Sequence, residues 1–350
     1  MIKSERLLWP DVARGVAILL VVLHHTIRWL LSQDLAPDYW SQATEFLRTL
    51  RMPLFFGVAG MFAAPWVFRR SWQQLASRKV AFLMWVYLLW CVIRWVYFLV
   101  APRLGTPEPF HFTRLLAAPL WPTNELWFLF ALCVFFLIAK AAVRLPVWLH
   151  VSIAMISSIC AFAGLLEVPT EAYDGILSYY LFFLIGCLFR EQILAGIPKL
   201  SPPAALAIVT VWAGCYVALK ITNTYEVIGI QVAIRMLGAI SGLLIAYYLS
   251  RFVIGHWLGW VGQNTLPIYV SHVLWIVPCV YLLAQWNIRA NPVFAFLIPW
   301  LVSVVSVSVG LAVWFVARRL GARWLYAPPN WVTEGVDKSW SKALSRSESD

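Results

Sequence analysis

Charged residues are scarce in this 350-residue sequence, at 12% of the chain, and acids are the scarcer sign, with 16 Asp and Glu against 27 Lys and Arg. An ordinary soluble domain is about one-quarter charged and about half apolar. Here apolar residues reach 62%. A water-soluble fold of this size is excluded, because it would have to expose a large share of those side chains. Paired cysteines are lacking too: Cys91, Cys133, Cys160, Cys187, Cys215 and Cys279 stand singly inside apolar runs, in no metal-type spacing. Neither a disulfide framework nor a metal site is therefore expected. No long internal repeat is present. The first apolar run is too long for a cleaved signal peptide, carries Asp11 and Arg14, and is followed by no small-residue cleavage site. Aromatics are abundant, with 21 Trp, 21 Phe and 13 Tyr, and that excludes a disordered chain.

The apolar residues fall into ten runs, near 10–31, 44–67, 80–101, 124–141, 146–166, 176–190, 203–221, 227–250, 265–286 and 292–317. A membrane span needs about 20 such residues, since the hydrocarbon layer is about 30 Å thick and a helix rises about 1.5 Å per residue. The expected fold is an all-α integral membrane protein, a bundle of about ten transmembrane helices within residues 1–326. A short, polar, disordered tail over 327–350 is expected to follow. With the N-terminus placed in the cytoplasm, seventeen of the 27 basic residues fall on inside segments, at Lys3, Arg6 and around 69–79, 140–144, 190–199, 251 and 318–346. This is the bias that cytoplasmic loops show, and it puts both termini inside. The exceptions are Arg103, Arg114, Lys220 and Arg289 in outside loops, Arg28, Arg48 and Arg51 near outer span ends, and Arg14, Arg94 and Arg235 within spans. The loop between the fifth and sixth runs holds Glu167, Glu171 and Asp174 and no base. The net charge of +11 thus lies along one membrane face, where it favours anionic lipid. Nucleic acid is not an expected partner.

An ionisable group deep in a bilayer costs about 2.5–3.5 kcal/mol on insertion scales, so each one calls for a partner or a function. The first run is the densest case, with Asp11, Arg14, His24, His25 and Arg28. At about 100° per residue, Asp11, Arg14 and His25 share one face, which should look into the bundle. Asp11 and Arg14, three apart, are placed to pair. His25 stands about 21 Å further along the axis. An intramembrane histidine either makes an interhelical hydrogen bond or acts as a base in a sheltered cavity. Gly57 and Gly60, after Arg51-Met52-Pro53-Leu54-Phe55-Phe56, allow close helix contact. Glu125, in Asn124-Glu125-Leu126-Trp127-Phe128-Leu129, suits a helix start. Gly262, Asn264, Tyr269 and His272 cluster where the ninth run begins, a position where tyrosine commonly anchors the interface. Arg94 and Arg235 are read as buried pairing partners or as pore-lining cations.

In order along the chain, these segments resemble the acyltransferase 3 family of integral membrane O-acyltransferases. Asp11-Val12-Ala13-Arg14-Gly15 through His24-His25 is similar to the family's opening signature, whose spacing selects His25, and Arg6 matches the basic residue before it. Met52-Pro53-Leu54-Phe55-Phe56 with Gly60 resembles the second-span motif, with Ala59 where the family often has serine. Leu126-Trp127-Phe128-Leu129, Phe183-Leu184-Ile185-Gly186 and Ile268-Tyr269-Val270-Ser271-His272 resemble later motifs. The resemblance implies transfer of an acyl group, acetyl by default, from cytoplasmic acyl-CoA as co-substrate to a hydroxyl of a sugar or cell-envelope glycan. It makes His25 the main catalytic residue, as general base or acyl carrier, with Asp11 and Arg14 completing the site. Arg14 together with Arg69, Arg70, Arg78 and Lys79 would hold the CoA anion, although Arg78-Lys79-Val80-Ala81 departs from the Arg-x-x-Arg of some members. Glu125, Trp127, Tyr269 and His272 are further candidates. Short loops and the absence of a cleaved leader fit a bacterial inner membrane. A transporter of a glycan, lipid-linked sugar or small anion is the competing reading, and a non-catalytic partner in envelope assembly is a third.

Overall fold

The computed structural model describes residues 7–101, 112–122, 125–285 and 292–336. Lys3, Arg6, Arg103, Asn124, Arg289 and the last part of the expected tail, 337–350, lie outside the described residues. Within them the chain is helical, with no strand. In lipid this is the expected outcome, because a helix satisfies its backbone N–H and C=O groups within one segment.

Ten helices match the ten apolar runs: α1 (Trp9–Leu31), α2 (Tyr39–Arg69), α3 (Ala81–Val100), α4 (Trp127–Ala141), α5 (Val147–Phe162), α6 (Glu171–Leu188), α7 (Pro202–Ile221), α8 (Ile230–Leu249), α9 (Thr265–Gln285) and α10 (Pro292–Arg319). Among the described residues, nine helical segments are long and apolar enough to cross a membrane; α5, at 16 residues, is shorter. It still connects opposite faces of the bundle. The Lys140 ammonium at the end of α4 donates to the Val67 and Arg70 carbonyls at the end of α2 (2.8 and 2.6 Å), whereas α6 begins beside the far end of α1.

Two differences from the sequence expectation matter for the site. The sixth helix starts at Glu171, five residues before the expected boundary, so Glu171 and Asp174 belong to its first turn and not to a loop. Carboxylates suit the positive end of a helix dipole, and the Thr170 side chain accepts from the Tyr173 N–H at 3.4 Å. Secondly, an eleven-residue helix, Val253–Gln263, precedes α9 and lies across the start of α1. Gly15 and Gly262 form the crossing: a methyl group on either would strike the carbonyl of Leu258 or Asp11 on the facing helix.

Small residues also bring α2 against α6, where Gly60 meets the Phe183 carbonyl and Gly186 meets that of Gly57. Beside this contact sits an aromatic core centred on fully buried Phe56. Its ring lies 5.8 Å from Trp127, 4.7 Å from Phe128, 5.2 Å from Phe135 and 5.5 Å from Tyr179. The motifs in α2, α4 and α6 therefore converge in space. The segment after α10 is tied to α3, with the Trp85 and Trp90 indoles donating to the carbonyls of Trp324 (2.8 Å) and Leu325 (2.7 Å). Trp331 packs on Trp85 at 5.7 Å, so the expected tail stays attached to the bundle at least as far as Trp331.

Candidate active site

A cavity of about 1220 Å³ opens inside the bundle, between the last turns of α1, the first half of α2, the second half of α3, and the starts of α4, α6 and α9. His25 is on its wall. The ring centroid of His25 is 5.1 Å from that of His24, which also lines the cavity, and 5.0 Å from that of His272. The inward face assigned to His25 from helical periodicity is thus the face it occupies.

Behind His25, His272 is 1% exposed. Its Nδ1 lies 2.6 Å from the Tyr269 carbonyl, which only accepts, so the proton of the neutral ring sits on Nδ1. The lone pair of Nε2 is left buried and without a protein partner. The Ser306 hydroxyl, donating to the His272 carbonyl at 2.8 Å, ties this turn of α9 to α10.

Tyr269 is 4% exposed and is no interfacial anchor. Its hydroxyl donates to the Glu125 carbonyl and accepts from the Phe128 N–H at 3.2 Å, fixing α9 to the start of α4. Nor does Glu125 cap α4; its carboxylate pairs with the Arg94 guanidinium of α3 at 2.5 Å. Arg94 is therefore both a pairing partner and a cavity-lining cation, whereas Arg235 donates to the Gln231 backbone and side chain and lies over the Phe162 ring at 3.9 Å. Trp127 lines the cavity as well, held by Gly175, where an added Cβ would come within 2.5 Å of its ring.

Asp11 and Arg14 are not part of this cavity. The Arg14 guanidinium lies 3.7 Å from the Asp11 carboxylate and donates to the Thr265 hydroxyl at 3.0 Å, while Gln263 donates to Asp11 at 3.2 Å. The pair thus joins the start of α1 to the start of α9, with Arg14 eleven residues and about 16 Å from His25. The basic residues expected to act with Arg14 gather at this same end. Arg14 lies over the Phe62 ring at 5.0 Å, and Lys79 and Arg70 share Trp66 one turn further on, at 4.5 and 5.8 Å. Lys79 sits on a five-residue π-helical turn, Ala76–Val80, a distortion frequent at functional sites. Arg69, Arg70 and Arg78 are exposed.

Arg28, Arg48, Arg51 and Arg114, none of them a site candidate from sequence, also line the cavity. A family described as "Acyltransferase domain", acyltransferase 3, matches residues 7–319, that is, both ends of this arrangement. The chain belongs to that family. It is a multi-pass membrane acyltransferase. Among the relatives of this acyltransferase, the inner membrane protein YcfT of Escherichia coli K12 is 23% identical over 359 residues, covering 93% of this chain and 97% of that protein. Two nodulation proteins NolL are similar over about half of each length: that of Mesorhizobium japonicum is 25% identical over 52% of this chain and 48% of its own. That of Sinorhizobium fredii is 26% identical over 58% and 54%. No solved structure matches the acyltransferase.

Proposed function

We propose that the protein transfers an acyl group, acetyl by default, from cytoplasmic acyl-CoA to a hydroxyl of a sugar or cell-envelope glycan, and that it works in a bacterial inner membrane. The observation that carries this reading is His25 on the wall of the cavity, backed by the buried Nε2 lone pair of His272. His25 makes no hydrogen bond to any described residue, which leaves its ring nitrogens for the substrate.

As general base, His25 takes the proton of the acceptor hydroxyl while that oxygen attacks the thioester carbonyl. The tetrahedral intermediate collapses with loss of the CoA sulfur, which leaves as the thiol with the proton returned from His25. His272 is the positioning residue: its ring, 5.0 Å from that of His25 between centroids, holds the His25 ring against the cavity. Trp127 and Tyr269 shape the acceptor side and the Arg94–Glu125 pair braces it. Arg14, Arg69, Arg70, Arg78 and Lys79 hold the CoA phosphates at the opposite end, and the CoA arm reaches along α1. Asp11 orients Arg14 in this scheme and takes no part in the proton transfer. The location is supported by the likeness to an inner membrane protein over nearly its whole length.

Purified full-length protein in liposomes, given radiolabelled acetyl-CoA and a panel of envelope glycans, tests the reading. Label is expected to move to a glycan, His25→Ala to abolish the transfer without loss of expression, and His24→Ala to have a milder effect. Full activity of His25→Ala would remove the site assignment.

A further inference from the structure

Five arginines line the His25 cavity, namely Arg28, Arg48, Arg51, Arg94 and Arg114, against three acids, Glu125, Glu171 and Asp174. Arg94 is matched by Glu125. Arg28, Arg48 and Arg51 have no carboxylate within 4 Å among the described residues, although Arg51 is only 4% exposed. A buried guanidinium without a counter-charge is costly unless a ligand supplies one. Arg28 and Arg51 come from α1 and α2, on the same wall of the cavity as His24 and His25. Trp95, Trp121 and Trp127 also line the cavity, and indoles are side chains against which the C–H face of a pyranose ring packs.

We infer that the cavity takes an acceptor that is itself an anion: a sugar bearing a carboxylate or phosphate, held by Arg28, Arg48 and Arg51 so that a neighbouring hydroxyl meets His25. This deepens the acyl-transfer reading above and rests on it. Guanidinium forks bind carboxylate and phosphate oxygens through paired charge-assisted hydrogen bonds, which fix orientation as well as affinity. A neutral sugar of the same shape would leave the buried Arg51 without a counter-charge, whereas Arg28 and Arg48 are exposed and Arg48 also interacts with the Tyr179 hydroxyl. A site with an unmatched buried charge discriminates strongly against such a ligand. The same oxyanion chemistry is also present in CoA, so the donor is the other source of phosphate that the experiment must separate.

The test is equilibrium binding to the full-length protein in liposomes, using radiolabelled glucuronate, glucose 1-phosphate, methyl glucoside and CoA, with Arg51→Gln and Arg28→Gln. Arg28 is exposed at the end of α1, so Arg28→Gln keeps the test valid if loss of the buried Arg51 harms folding. The expected result is binding of at least one acid and not of methyl glucoside, weakened about tenfold or more by each substitution, as loss of a charge-assisted hydrogen bond requires, with CoA binding unchanged. Equal binding of acid and neutral sugar, acid binding indifferent to both substitutions, or no acid binding at millimolar concentration overturns the inference. Loss of CoA binding in Arg51→Gln and Arg28→Gln also overturns it and assigns the cavity to the donor. Since binding is read without turnover, an intact acid site with no acyl transfer supports the anion site while counting against the donor and acceptor named above.

Discussion

Arg28, Arg48 and Arg51 near outer span ends, Arg114 in an outside loop and Arg94 within a span are residues that the loop-charge rule leaves over, and all five line the cavity. Topology requires no positive charge there, so each exception carries another reason for its place. The first-run periodicity placed His25 on an inward face, because a helix face is a property of one segment; its choice over His24 came from the family resemblance. The partners of that face were not legible: Glu125 and Tyr269 meet across 144 residues, and nothing local in either segment encodes the other. Arg94 and Glu125 show the energetic side of this. Loss of one member of a largely desolvated pair leaves the other without its counter-charge, which costs more than losing both. Glu125→Gln and Arg94→Gln are expected to destabilise the detergent-solubilised protein singly. The double variant should recover part of the loss, with a coupling energy of about 0.5–3 kcal/mol in a double-mutant cycle of unfolding. Strictly additive losses would mean that the 2.5 Å contact contributes nothing.

At the level of elements, the ten apolar runs became ten helices because run length is set by bilayer thickness, a constraint read from the sequence directly. The helix Val253–Gln263 went unread for a related reason. Eleven residues are too few to span, and Gly255, Gly259 and Gly262 resemble loop punctuation until the crossing with α1 shows that two of them face that helix. Glu171 and Asp174 were placed in a loop because acids lower the local hydropathy, although the first turn of a helix favours them. Close helix contact through glycine yields a stability prediction. Gly60→Ala places a methyl group against the Phe183 carbonyl of α6, and Gly262→Ala does the same against Asp11. Each is expected to cost about 1–3 kcal/mol through overpacking, read as a lower unfolding midpoint in detergent. Gly214→Ala on α7, where nothing lies within 4 Å, should be neutral or slightly stabilising. Equal effects at the three positions would contradict the tight α2–α6 and α1 crossings.

For the molecule as a whole, the two ends of α1 carry different chemistry. Arg14 with Lys79 and Arg70 stands where the chain begins, and the histidines with the arginine-lined cavity stand where α1 ends. An acyltransferase with its donor on one side of a membrane and its acceptor on the other needs this polarity, with the reacting atoms between. The proposed reaction therefore requires one orientation, with the Arg14 end in the cytoplasm beside the CoA pool and the cavity facing outward. The uneven distribution of Lys and Arg over the loops gives the same assignment independently. Single cysteines at exposed positions on the two faces test it, with the unsubstituted chain as the blank for its six native thiols. Glu167→Cys, between α5 and α6, should react with a membrane-impermeant maleimide in cells whose inner membrane is intact. Ser201→Cys, at the start of α7, should react only after that membrane is permeabilised. The opposite pattern would put the cavity on the side where CoA is made, and the basic cluster around Trp66 would then have no CoA phosphates to bind.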